Sequence, residues 1–75
     1  MLSFSIDETL KSVIEIHCDA EGIGLLISAL GDLVAARASH VHLRTPSCGG
    51  RELSDETPSG KAAFHEVIID YAEGD

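Results

Sequence analysis

One stretch of the chain, residues 40–56, constrains the fold more than any other, because it joins a strand pattern to a sharply defined turn. In its first part Val41 and Leu43 alternate with polar residues, and a period of two is typical of a half-buried β-strand. Pro46 removes a backbone donor and so ends the strand, while the two consecutive glycines that follow permit a tight reversal. The sequence therefore predicts a strand that leads into a specified polar loop.

Two strand patterns come before this stretch. Residues 2–6 alternate apolar and polar side chains, and residues 13–18 do the same. The apolar face of the second strand consists of Ile14, Ile16 and Cys18. Its other face is mixed, as expected where one side of an antiparallel sheet meets water. The polar segment between the two patterns predicts a hairpin connection.

A helix is predicted after residue 18. Asp19 is a favourable N-cap, because its carboxylate can accept hydrogen bonds from the free amides of the first turn. Apolar residues then recur at helical spacing. They form one broad stripe of Ile23, Leu26, Ile27, Leu30, Leu33 and Val34, with Leu25 and Ala29 beside it. Three glycines each cost about 1 kcal/mol of helix propensity, so packing must hold this helix, whose end is predicted near Arg37.

The last strand pattern covers residues 64–71. Either of its faces suits the core, and the interpretation favoured here places Val67, Ile69 and Tyr71 inside. Phe64 and Ile68 then lie on the outer face, where they are candidates for a partner surface. Residues 57–61 have turn chemistry, and the tail at residues 72–75 is expected to fray.

These patterns predict one small α+β domain over residues 1–75, in the order β-β-α-β-β. The economical architecture has two layers, with one helix packed on a mainly antiparallel four-stranded sheet. An open sheet of this kind has exposed edges, and a small domain can cover one by forming a homodimer.

The charge is strongly acidic. Thirteen Asp and Glu residues oppose five Lys and Arg residues, which gives a formal net charge of −8. Nucleic-acid binding is disfavoured, because it depends on cations that neutralise phosphates. The same charge promotes solubility and would speed encounter with a basic protein.

Localisation is expected to be cytoplasmic. No run approaches the roughly 20 apolar residues that span a bilayer, which disfavours membrane association, and the first residues, MLSFSIDE, lack the pattern of a secretory signal. Two cysteines in such a chain favour free thiols over a bridge between Cys18 and Cys48, since the cytosol is reducing.

The central stretch, HVHLRTPSCGGRELSDE, resembles the immunity protein 32 family, whose usual string is His-Leu-Met-Thr-Pro, an aromatic residue two positions on, Gly-Gly, and then Glu-Leu-Ser. The matching residues are His42, Leu43, Thr45, Pro46, Gly49, Gly50, Glu52, Leu53 and Ser54. The resemblance extends over roughly residues 13–71. Arg44 stands where Met is common in that family, and Cys48 stands where Trp is common.

The resemblance implies a bacterial protein that binds and neutralises a cognate protein toxin, without catalytic activity and without a cofactor. Candidate partner-binding residues lie in the loop after the third strand. They are Arg44, Cys48, Arg51, Glu52, Asp55 and Glu56. The alternative is a small structural or homo-oligomerising domain without catalytic activity, joined through an edge strand.

Two chemical alternatives also arise from the residues. His40 and His42 project from one face of a strand, so His17 or His65 opposite them would complete a zinc site. Their simpler interpretation is an exposed polar face, and no metal site is predicted. Arg44 and Arg51 near Cys48 would supply part of the electropositive setting that an activated thiolate requires. No hydrolase signature surrounds it, however, and the glycine pair lacks the spacing of a phosphate loop.

Overall fold

The computed structural model describes residues 1–58 and 60–72. The elements in chain order are strands β1 (Leu2–Asp7) and β2 (Ile14–Cys18), helix α1 (Ala20–Val34), strand β3 (His40–Arg44), a 3-10 turn (Pro46–Cys48), and strands β4 (Lys61–Ala63) and β5 (Glu66–Asp70). Within these residues the α+β class, the presence of one α-helix and the antiparallel pairing are as predicted. The predicted fraying of residues 73–75 lies outside the described residues.

The prediction of one four-stranded sheet is wrong. The strands form a three-stranded sheet in the order β2-β1-β4 and a two-stranded sheet of β3 and β5. The cause is the last predicted strand, which is replaced by two short strands. The first begins at Lys61, and Phe64 and His65 separate it from the second. Phe64 donates its amide to the Phe4 carbonyl at 2.9 Å, whereas the His65 carbonyl accepts from the Thr45 amide at 3.0 Å. The interruption therefore lies where the chain changes partners from β1 to β3.

Strands β1 and β2 form the predicted hairpin, with Leu2 opposite Cys18 and Ile6 opposite Ile14. The connection has no glycine or asparagine, and the carboxylate of Asp7 replaces their role. Asp7 Oδ1 accepts hydrogen bonds from the Thr9 amide at 2.8 Å and from the Leu10 amide at 2.9 Å. Such local side-chain bonds stabilise turns in place of a special backbone conformation.

Helix α1 begins as predicted but ends early. Asp19 is its N-cap and accepts the Gly22 amide at 2.9 Å, while the same carboxylate binds the N-terminal ammonium. The helix ends at Val34, short of Arg37, because Ala36 adopts a left-handed conformation with φ of 57°. The Arg37 amide then bonds back to the Asp32 carbonyl at 2.9 Å, which closes the last turn.

The core lies between α1, β1, β3 and the loop after β3. Its buried residues are Leu2, Phe4, Leu43 and Leu53, packed against Leu25, Leu26, Ala29, Phe64, Val67 and Ile69. The helix turns Leu25, Leu26, Ala29 and Leu33 inward. The broad stripe predicted from the sequence is therefore divided. Its other members, Ile23, Ile27, Leu30 and Val34, are exposed.

The faces of β5 are partly as predicted. Val67 and Ile69 pack on the core, and Ile68 is exposed. The inward placement of Tyr71 is wrong, because that side chain is exposed, and so is the outward placement of Phe64, which packs on the core. The interruption before β5 separates Phe64 from the alternation of the following residues. Across residues 1–58 and 60–72, no helix has the length and apolar character required to cross a membrane.

Candidate functional site

The candidate site is the segment that follows β3, residues 45–56, called the motif loop. It starts at Thr45, whose side chain is completely buried. The Thr45 amide donates to the His65 carbonyl at 3.0 Å, and its hydroxyl lies 3.0 Å from His65 Nδ1. A buried threonine with these bonds fixes the start of the loop to the connection between β4 and β5.

The glycine pair completes a tight reversal. After the 3-10 turn Pro46–Cys48, Gly49 takes a left-handed conformation with φ of 81°. Gly50 has a different requirement, since a Cβ atom there would lie 2.3 Å from the Cβ of Arg44. The Gly50 amide reaches the Thr45 carbonyl at 3.0 Å. One glycine is needed for its backbone angle and the other for close approach.

The returning part of the motif loop is also anchored. Leu53 is 2% exposed and belongs to the core, and its amide donates to the Arg44 carbonyl at 3.0 Å. The Ser54 amide donates to the Leu2 carbonyl in β1 at 2.7 Å. The carboxylate of Glu52 accepts the Arg44 amide at 3.1 Å. The returning end of the loop is thus fixed to two different strands, β3 and β1.

A charged cluster lies beside the start of the loop. Arg44 Nε donates to Glu66 Oε2 at 2.6 Å, and His42 Nδ1 lies 3.0 Å from the same oxygen. The Arg44 guanidinium, followed by His42, holds the pKa of the Glu66 carboxyl below its usual value. In return Glu66 raises the pKa of Arg44. The guanidinium is therefore engaged within the chain, across the pair β3 and β5.

Asp55 lies at the end of the motif loop, near its beginning in space. Its Oδ1 atom accepts a hydrogen bond from the Ser47 hydroxyl at 3.1 Å and lies 3.4 Å from His65 Nδ1. This contact closes the loop with exposed polar groups. The hydrogen bond between Ser47 and Asp55 therefore links the two ends of the loop.

The six candidate residues have different surroundings. The carboxylate of Glu52 holds the loop by accepting the Arg44 amide, whereas the Arg44 guanidinium bonds to Glu66 in β5, so both are positioning residues. Cys48, Arg51 and Glu56 are exposed, as is Asp55. Arg51 and Glu52 also line an opening of about 150 Å³ between the loop and the start of α1, together with Glu21. The structure thus gathers the six residues around one loop but on more than one face of it.

The histidines considered for a metal site and the cysteines considered for a reactive thiol are arranged as follows. The rings of His40 and His42 meet edge to face with centroids 4.9 Å apart, and His42 bonds to Glu66. Within the described residues, no group of three or more His, Cys, Asp or Glu side chains is placed to hold a metal ion. Cys18 and Cys48 are both free and exposed.

The sequence reasoning missed a second polar cluster, on the three-stranded sheet. Lys61 Nζ binds Asp7 Oδ2 at 2.8 Å and Glu15 Oε1 at 3.0 Å, and so joins β4, β1 and β2. Lys61 lowers the pKa values of Asp7 and Glu15, and Asp7 is the main cause of the raised pKa of Lys61. The sequence does show charged residues at alternating strand positions. Pairing them with Lys61, however, required knowledge of the register of β4, whose first residue lies in a segment with turn composition.

No protein-family model, curated protein or solved structure matches this chain. The resemblance to the immunity protein 32 family therefore depends on the matching residues between His42 and Ser54. Several of these have structural roles in the motif loop: Thr45 and Leu53 anchor it, Gly50 allows close approach, and Glu52 accepts a strand amide.

Proposed function

We propose that this chain is a non-enzymatic binding protein that recognises a protein partner through the motif loop. The observation that carries the proposal is the anchoring of this loop, through Thr45, Leu53 and Ser54, to two strands and the core. A loop held in one conformation loses little conformational entropy when it binds, so more of the contact free energy contributes to affinity.

The proposed recognition groups are exposed and lie within the motif loop. Cys48, Arg51, Asp55 and Glu56 offer a thiol, a guanidinium and two carboxylates on a fixed backbone. Arg44 and Glu52 support the loop on which these groups lie. The Glu52 carboxylate accepts the Arg44 amide, and the Arg44 guanidinium is bonded to Glu66. This combination of a rigid scaffold with exposed polar groups suits a specific protein interface.

The charge favours a basic partner. A net charge of −8 on 75 residues accelerates encounter with a cationic protein and opposes binding to phosphate-rich polymers. The family resemblance implies that this partner is a bacterial protein toxin, which the chain would occlude by direct binding. Association should therefore slow as salt concentration rises, because screening weakens electrostatic steering.

The genetic test uses the product of the gene adjacent to this one. Cells that express that product should stop growing, and co-expression of this chain should restore growth. The purified pair should form a complex by isothermal calorimetry. Absence of both toxicity relief and complex formation would overturn the toxin-binding proposal.

Variants locate the surface. Glu56→Lys should weaken the complex by about tenfold or more, because it places a cation against a basic partner. Glu8→Lys is the matched control: it makes the same charge change at an exposed position in the β1–β2 turn and should bind normally. Equal effects of both variants would contradict recognition by the loop.

Substitution of Cys48 separates binding from catalysis. Cys48→Ser removes the thiol from an exposed position while leaving the turn intact. Protection by occlusion should persist in this variant with affinity changed by less than about tenfold. Loss of protection with unchanged affinity would instead assign a chemical role to the thiol.

A further inference from the structure

Strand β2 has an edge without a strand partner. In the order β2-β1-β4 it pairs with β1 on one side, and no strand of the described residues pairs with its other side. Soluble proteins usually shorten, bend or charge such an edge. The opposite edge follows this rule, since β4 has only three residues. Strand β2, Ile-Glu-Ile-His-Cys, contains neither lysine nor proline.

The apolar face of β2 is uncovered as well. Ile14 and Ile16 are 60% and 49% exposed, although Ile16 lies opposite the buried residue Phe4. Both isoleucines line an open cavity of about 420 Å³ with Phe4, Phe64 and Val67. An apolar floor of this kind at a sheet edge is typical of a surface that another protein chain covers.

The exposed side of α1 adds to this surface. Its helix stripe consists of Ile23, Ile27, Leu30 and Val34, all of them exposed. The opposite flank, with Glu21 and Leu25, faces residues 51–54. Those residues adjoin β1 on the side away from β2, since the Leu2 carbonyl accepts from Ser54 there. Successive helix residues are about 100° apart around the axis, so the helix stripe lies on the flank opposite Glu21 and Leu25. That flank is the one toward β2.

We propose that β2 pairs with β2 of a second copy of this chain, antiparallel about a two-fold axis at Ile16. This register places Ile16 opposite Ile16 of the partner subunit and Ile14 opposite the partner's Cys18. It also places Glu15 opposite the partner's His17, and the reverse, so each pair joins a carboxylate to an imidazole. Within one chain Glu15 already lies 3.1 Å from His17 and 3.0 Å from Lys61. Cross-strand pairs of this kind stabilise sheets.

Neighbouring registers are unfavourable. In an antiparallel pair, residues directly opposite each other project from the same face of the sheet. A two-fold axis normal to the sheet must therefore lie at one residue, which then faces the same residue of the partner. An axis at Glu15 would oppose two glutamates, and an axis at His17 would oppose Glu15 to the partner's Asp19. Like charges directly opposite each other destabilise a sheet. The sequence of β2 therefore favours the axis at Ile16.

The amount of exposed surface is consistent with a second copy. The relation between accessible surface area and mass in folded monomers gives about 4,400 Å² of exposed surface for a chain of 7.9 kDa. This chain exposes 5096 Å². The difference, about 700 Å², is close to the roughly 800 Å² that each partner buries in an interface of standard size.

The dimer would have a continuous six-stranded sheet, β4-β1-β2-β2-β1-β4, with both helices on the same face. The two β2 strands would lie about 4.8 Å apart, so their isoleucines would form one apolar floor. The helix stripes would flank this floor on either side of the axis. The motif loop takes no part in this interface, so self-association is independent of partner binding by the loop.

Sedimentation velocity over a concentration series tests the dimer. The parent chain should shift from monomer to dimer as concentration rises, and Ile16→Lys should raise the dissociation constant at least tenfold, because it places two cations together at the axis. Ile68→Lys is the control, since Ile68 is 51% exposed on β5, in the other sheet. Monomer at every concentration, or equal effects of both variants, would overturn the proposal.

Cross-linking tests the register. In a Cys48→Ser background, Ile14→Cys should form a disulfide with the partner's Cys18 under mild oxidation, since directly opposite residues have Cα atoms about 4.5–5.5 Å apart. Within one chain the two positions are four strand residues apart, too far for a bridge. Ile68→Cys in the same background should remain largely monomeric in non-reducing gels. Equal dimer yield from both positions would count against the register, and monomer from both would count against the interface.

Discussion

At the scale of single residues, two glycines have opposite surroundings and give opposite expectations. A Cβ atom at Gly50 would meet the Arg44 carbonyl oxygen at 2.6 Å, whereas Gly24 in α1 has open space around it. We expect Gly50→Ala to lower the free energy of unfolding by about 1–3 kcal/mol. Gly24→Ala should raise it by about 1 kcal/mol through helix propensity. Urea denaturation measures both, and a stable Gly50→Ala protein would contradict the close approach.

Ala36 is a second residue at which the backbone conformation determines how a substitution changes stability. Its positive φ costs an L-amino acid roughly 1–2 kcal/mol, which glycine avoids. After the added flexibility of the unfolded chain is subtracted, Ala36→Gly should stabilise the protein by about 0.5–1 kcal/mol. Ala35→Gly is the matched control, because Ala35 has a φ of −81° and should lose stability on the same change. Thermal unfolding compares the two, and stabilisation by Ala35→Gly alone would refute this account.

At the scale of elements, Lys61 joins three strands through Asp7 and Glu15. The pKa values of both carboxyls are lowered in the folded chain. Their contribution to stability is therefore fully present above the unfolded values of about 4, and it is lost as pH falls through the lowered folded values. The raised pKa of Lys61 gives a contribution that is present below its unfolded value and lost at strongly alkaline pH.

We expect Lys61→Met to be less stable than the parent at pH 7, because the substitution leaves two carboxylates close together without their cation. The difference should shrink as pH falls below 4 and those carboxyls become protonated. Lys11→Met, at an exposed position in the β1–β2 turn, should match the parent throughout. Denaturant midpoints between pH 2 and pH 8 provide the measurement, and a constant difference across that range would contradict the linkage.

At the scale of the whole molecule, the proposed dimer links stability to concentration. Binding between folded copies raises the apparent stability by mass action. The thermal midpoint of the parent chain should therefore rise with protein concentration, and that of Ile16→Lys should not. Differential scanning calorimetry at several concentrations measures this. A midpoint that is independent of concentration in the parent chain would argue for a monomer.

Local chemistry made several parts of this fold predictable. The Asp19 cap, the hairpin of β1 and β2, and the end of β3 before Pro46 are each determined by neighbouring residues. Long-range contacts decided the remainder. Phe64 turns inward because its amide bonds to Phe4, far away in sequence. Local chemistry likewise placed the candidate residues around the loop after β3, whereas which of them bond to other parts of the fold depends on contacts that are distant in sequence.

The sequence by itself determined where polar and apolar residues alternate, where turns occur and how acidic the chain is. Only the tertiary structure decided which residues of the predicted apolar stripe turn inward and how the last predicted strand divides between β1 and β3. It also decided that Ile14 and Ile16 remain exposed at an edge. The physical reason is that periodicity marks an apolar face, whereas burial depends on what covers that face, and the covering segments are distant in the chain.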